Sequence, residues 1–162
     1  MSQRASRILI SISAVATSVV PTIADVNHTH LFNPLWAPHA RFHGTVFLLV
    51  NVLSGMTALF LLWGRYEGRG SRLAVTFAAF LPALCWGPFV PAALLPGTSV
   101  WPDGTAPFAP INPNMVLAVV LFTMAVLGVV LDRRARRATA AAPDLRSSPR
   151  DAHLHSAEPR LG

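Results

Sequence analysis

The sequence predicts an all-α fold, an integral membrane four-helix bundle, on three observations. The 162-residue chain is 52% hydrophobic and 12% charged, with a mean hydropathy of +0.48, which is too apolar for an ordinary soluble domain of this length. Four apolar runs, 8–24, 45–63, 73–95 and 115–131, approach or reach the span of about 17–25 residues that a hydrocarbon core of about 30 Å demands. All thirteen basic residues are arginine, and most gather at alternate run ends. Arg4 and Arg7 precede the first run, Arg65, Arg69 and Arg72 lie between the second and third, and Arg133, Arg134, Arg136 and Arg137 follow the fourth. The segments 25–44 and 96–114 carry Arg41 alone. By the positive-inside rule, both termini are expected in the cytoplasm. The formal charge of +6 is therefore read as a topology signal and not as a nucleic-acid surface. The expected partner is the lipid bilayer, and the expected location is the plasma membrane, crossed several times.

The first run follows two arginines and contains Ala14 and Ala16, so a cleaved signal peptide competes with a retained span. It continues to Asp25 without a polar start for a mature chain, which favours retention. The second and third runs are joined by a short segment holding Gly64, Gly68 and Gly70, as an antiparallel hairpin requires. Pro82, Pro88 and Pro91 fall in or after the third run. Each removes a backbone donor and crowds the preceding turn, predicting either a kinked or broken span lining a cavity or a merely kinked packing helix. Segment 101–114, rich in proline and aromatics, is expected to form an ordered lid. Asn112 followed by Pro113 predicts a helix cap and first helical residue for the fourth span. Trp36 and Trp101 are expected at the outer interface. The membrane domain is placed at 1–138, and 139–162, polar and without apolar periodicity, is expected to be a disordered cytoplasmic tail. The arginine pairs after the fourth span are expected to fix topology and to touch anionic lipid. Cys85, the sole cysteine, has no internal disulfide partner and reads as an inert thiol.

The chemistry concentrates in Asp25-Val-Asn-His-Thr-His-Leu-Phe-Asn-Pro-Leu-Trp-Ala-Pro-His-Ala-Arg-Phe-His, where four of the six histidines fall within nineteen residues. Ionisable groups beside apolar spans cost desolvation free energy unless paired, metal-bound or used. His39 and His43, at i and i+4, share a face if a helix begins near Pro38, a spacing suited to two ligands of one metal. At about 100° per residue, Thr57 follows His39, Ser54 follows His43, and Asn51 lies at the margin of the stripe. Ser11, Ser18, Thr22 and Asp25 align in the same way on the first span. Such small hydroxylated residues also serve simple helix packing.

Two chemistries use this set. A metal, zinc or iron, would draw on His28, His30, His39 and His43 with Asp25 as an oxygen ligand. The spacing matches no zinc finger, the Glu of a His-Glu-x-x-His protease is missing, and the histidines are too few for a membrane di-iron site. Alternatively Asp25, His39 and His43 act as acid and base on an apolar small molecule from the lipid phase, with Asn27, Asn33 and Asn51 in support. No serine or cysteine stands in a nucleophile motif. The competing functions are a non-enzymatic component that binds or transports a small molecule or ion, and an accessory subunit of a membrane complex.

The nineteen-residue string resembles the signature of a family of small four-span membrane proteins of bacteria and fungi, catalogued as a domain of unknown function. The likeness extends loosely over residues 8–131. It implies the topology, and it marks Asp25, Asn27, His28, His30, Asn33, His39 and His43 as the positions of interest. It implies no activity.

Overall fold

The computed structural model describes residues 3–101 and 111–141, and all regular structure among them is helical. The elements are α1 (Gln3–Asp25), α2 (Pro38–Trp63), α3 (Gly68–Trp86), α4 (Phe89–Ala93) and α5 (Pro113–Ala141). Counting α3 and α4 as one span, four helices are long and apolar enough to cross a membrane. They run alternately up and down. One end of the bundle carries Asp25, His28, His30, His39, His43 and the start of α5; the other carries the arginines of α1, α3 and α5. We call these the histidine end and the arginine end.

The packing is inside-out relative to a soluble bundle. Large apolar side chains such as Ile8, Leu53, Phe60, Phe80 and Val119 are exposed, as lipid-facing surfaces are. The interior is small and hydroxylated. α1 lies at the centre, touching α2, α5 and α3, while α2 packs on α3 and α3 on α5. Its buried face, Ser6, Ile10, Ser13, Ala14 and Thr17, repeats at the helical period. The Ser6 hydroxyl donates to the Gly128 carbonyl at 2.7 Å, and Ser13 donates to the Leu121 carbonyl at 2.9 Å. Two glycines permit this closeness. A Cβ on Gly55 would run into the Ala14 carbonyl and Ser18, and one on Gly128 into Ile10 and the Ser6 carbonyl.

The stripe of Ser11, Ser18 and Thr22 also serves packing. Ser18 donates to the Val52 carbonyl, the Trp63 indole donates to Ser11, and Thr22 bonds back to the Ser18 carbonyl. The helical hydrogen bonding of the third span is interrupted between α3 and α4, while Gly87 and Pro88 keep right-handed helical dihedrals. α3 ends at Trp86, Pro88 caps α4 with φ −66°, and the chain turns away through Gly97 at φ +80°. Pro82 is absorbed inside α3.

At the other end α5 continues past Leu131 to Ala141, so Thr139, Ala140 and Ala141 of the expected tail are helical. Arginine and alanine are good helix formers, and the helix propagates beyond its apolar stretch. The remainder of the expected tail, and residues 102–110 of the expected lid, lie outside the described residues.

Candidate functional site

The segment between α1 and α2 is built by asparagines. The Asn27 amide nitrogen donates to the Ala24 carbonyl at 2.6 Å, which orients its oxygen to receive both the Thr29 backbone N–H at 2.8 Å and the Thr29 hydroxyl at 2.7 Å. The Thr29 proton is thereby committed. Thr29 Oγ1 lies 2.9 Å from His30 Nδ1, and that contact is completed by an Nδ1–H donating to the hydroxyl oxygen. The network thus assigns the tautomer of neutral His30 and leaves Nε2 as a free acceptor, the form a general base needs. Asn33 finishes the segment. Its side-chain oxygen accepts the Leu35 N–H, and its carbonyl accepts Arg41 Nη2 at 2.9 Å, tying the segment to the first turn of α2.

Asp25 and His30 are half-buried and line one small cavity of about 140 Å³ with Trp36, Gly44, Phe47 and Leu48. Asp25 also borders a narrower cavity of about 70 Å³, whose walls include Thr17, Asn51, Trp86, Phe89 and Asn114. Asn51 is 2% exposed, and its side-chain oxygen has no hydrogen-bond partner among the described residues. Phe47, Cys85, Phe89 and Asn114 are shared with a larger, mainly apolar cavity of about 400 Å³ between the interrupted third span and the start of α5. His30 faces a further cavity bounded by Trp101, Asn112 and Asn114.

Two features hold these walls. The Trp86 indole donates to Thr17 Oγ1 at 2.8 Å, and Thr17 donates to the Ser13 carbonyl. Asn112 caps α5, as its position before Pro113 predicts: its side-chain oxygen accepts the Asn114 N–H at 2.8 Å, while its amide donates to the Val100 carbonyl at 2.6 Å.

The structure does not gather the four histidines. His39 and His43 do pair on one face of α2, which begins at Pro38, with Nε2 atoms 3.0 Å apart and rings edge to face at 4.5 Å. That face is exposed. Asn51 lies about 80–120° around the helix from the pair and is buried, whereas Thr57 is exposed. The α2 stripe therefore divides between exterior and interior. His28 is exposed and tilts against Phe32. Among the described residues, no group of three or more His, Cys, Asp or Glu side chains is placed to hold a metal ion. The four histidines expected to share one metal are thus not gathered into one group among the described residues.

Several contributors were not singled out from sequence. Thr29 was legible as the end of an Asn-x-Thr turn, and Thr17 as the third member of the Ser6, Ser13, Thr17 periodicity. Phe47, Trp86 and Asn114 carry no local signal beyond their neighbours.

Fold and site together define a four-span helical membrane protein with a partly polar cavity system at one end. The chain belongs to DUF6640, a family of unknown function whose model matches residues 9–143. That match runs from the first span to just past α5 and agrees with the expected membership of a family of unknown function. No curated protein and no solved structure matches the chain.

Proposed function

We propose that the histidine end binds a small, largely apolar molecule with one hydrogen-bonding head, reached from the bilayer, and that Asp25 and His30 exchange a proton with that head. Asn51 carries the proposal. A buried amide with an unpartnered oxygen costs about 1–3 kcal/mol, yet it borders a cavity, where a ligand's donor satisfies it. Asp25 lies on the same cavity, His30 presents a free Nε2, and the adjoining apolar space accommodates a hydrocarbon body. In the proposed orientation the arginine end is cytoplasmic, and the site lies on the outer side of the cell membrane.

The sole cysteine supplies the test, because Cys85 borders both the narrow and the large cavity. Its alkylation by N-ethylmaleimide is followed in detergent-purified protein with decanol or decane present. Decanol should slow labelling well beyond decane, and Asn51→Leu should abolish the difference. Equal effects of the two compounds would remove the polar recognition on which the proposal rests.

His39 and His43 support a second function in metal binding. Two imidazole nitrogens 3.0 Å apart suit neighbouring ligands of a zinc or iron ion, with the remaining ligands supplied from outside the pair. Metal content of the purified protein by mass spectrometry, against a His39→Ala/His43→Ala variant of confirmed fold, decides this. Equal content in both would end it.

A further inference from the structure

The arginine end holds a second concavity that the proposed function does not use. It has a volume of about 600 Å³, and its charged wall is formed by Arg69 and Arg72 of α3 with Asp132, Arg133, Arg136 and Arg137 of α5. Five guanidinium groups thus face one carboxylate. That carboxylate is already engaged: Asp132, 4% exposed, accepts Arg136 Nε at 2.6 Å, and Arg136 Nη2 reaches across to Ser71 Oγ at 3.1 Å. This bridge fixes α3 against α5 and holds one guanidinium in place. Among the described residues, Arg69, Arg72, Arg133 and Arg137 make no ion pair. Guanidinium groups converging without carboxylate partners form a site for a phosphate-type anion.

The level of the basin in the bundle selects the source of that anion. α3 begins at Gly68 just before the basin, and Asp132 directly follows the apolar stretch of α5, so the arginines stand where hydrocarbon gives way to headgroups. Leu73 and Thr76 complete the wall. From Leu73 an apolar ridge continues along the lipid-facing side of α3 through Phe77 and Phe80, each about half exposed. A cationic pocket opening onto an exposed apolar track matches a molecule with an anionic head and acyl chains. We infer that this basin is a binding site for the phosphodiester headgroup of an anionic phospholipid, with an acyl chain lying along Leu73, Phe77 and Phe80.

Full-length protein in dodecyl maltoside is mixed with equimolar phosphatidylglycerol and phosphatidylcholine, and retained lipid is counted by native mass spectrometry. One phosphatidylglycerol should be retained preferentially. The Arg72→Gln/Arg133→Gln variant, which spares the Asp132–Arg136 bridge, should bind it roughly thirtyfold more weakly, at about fivefold per arginine. Arg65→Gln/Arg134→Gln removes equal charge from the same end but outside the basin and should change retention less than twofold. Equal losses in the two variants, or equal retention of both lipids, would overturn the site, leaving only diffuse attraction to an anionic surface. A parallel arm adds inorganic phosphate at millimolar concentration. Failure to displace the lipid supports the lipid as ligand; full displacement, with the same dependence on Arg72 and Arg133, would assign the basin to a free anion instead.

Discussion

Replacing Asn51 by leucine should make this protein more stable and less able to recognise a polar head. The wild-type side chain is 2% exposed and its oxygen is unpartnered. Removing an orphaned buried carbonyl returns about 1–3 kcal/mol in a soluble protein. In a membrane the polar term is smaller, nearer 0.6 kcal/mol per interaction, because the reference state also finds partners. Leucine has a similar reach and places additional apolar volume against the cavity of about 70 Å³, worth about 0.8 kcal/mol per buried methylene. The sum is a stabilisation of about 1–2 kcal/mol. For a chain of this length that corresponds to a rise of roughly 2–8 °C in Tm, read by a thermal melt in detergent. The same sample should lose decanol-specific protection of Cys85. A variant that melts lower while keeping that protection would refute the reasoning, since Asn51 would then have a structural partner and no role in recognition. Higher stability combined with lost recognition is the pattern expected where function holds a polar group in an unfavourable place.

The close approach of α1 to its neighbours predicts that Gly128→Val, whose Cβ would meet Ile10 and the Ser6 carbonyl, lowers stability by about 1–3 kcal/mol, measured by the same melt. Thr17→Val and Trp86→Phe each break the 2.8 Å indole-to-hydroxyl bond, so a double-mutant cycle should return a coupling of about 0.5–1.5 kcal/mol; a coupling of zero would mean the bond contributes nothing to the wall. Thr29→Val removes the partner of His30 Nδ1, and imidazole 15N spectra should then change from one dominant tautomer to a mixture at a pH where His30 is neutral. An unchanged spectrum would show that something other than Thr29 sets the tautomer.

The four spans were legible because span length and hydropathy are properties of sequence read in one dimension, and an interruption near Pro88 was legible because proline cannot donate to the preceding turn. Rotation of each helix about its axis was harder to read. On α1 two hydroxylated stripes fit the helical period equally well, Ser6–Ser13–Thr17 and Ser11–Ser18–Thr22. Both proved to be packing faces, because α1 lies centrally and touches partners on several sides. On α2 the shared face of His39 and His43 was legible from their spacing, and its exposure was not. The informative pattern was the other one, Leu48, Asn51, Gly55, Ala58 and Leu62, whose small residues mark where a neighbouring helix comes close. Burial of Asn51 follows from that face, and exposure of His39 and His43 follows from being turned away from it. The pairing of Asp25 with His30 around one cavity depended on a turn whose geometry is set by Asn27 and Thr29, which no periodicity encodes.

The distribution of satisfied and unsatisfied polar groups bears on what kind of membrane protein this is. The buried hydroxyls among the described residues are engaged: Ser6, Ser13 and Thr17 donate to carbonyls, and Thr17 also receives the Trp86 indole. The buried atoms without partners among the described residues are Arg41 Nε, Asn51 Oδ1 and Asp132 Oδ1. Arg41 belongs to the histidine end, Asn51 borders its cavity, and Asp132 lies in the arginine basin. Between the two ends stand Trp86 with Ala118 and Leu121, and beyond them the packed cluster of Ile10, Ala14, Ala58, Leu62, Val75, Ala78 and Ala79. A path for a polar solute through such a core would need hydrogen-bonding groups left free along its length, and the buried hydroxyls of α1, Ser6, Ser13 and Thr17, already hold helices together. Asn51, near the middle of α2, and Asp132, at the arginine end, are instead the buried polar groups that keep an unpartnered oxygen among the described residues, each beside a concavity.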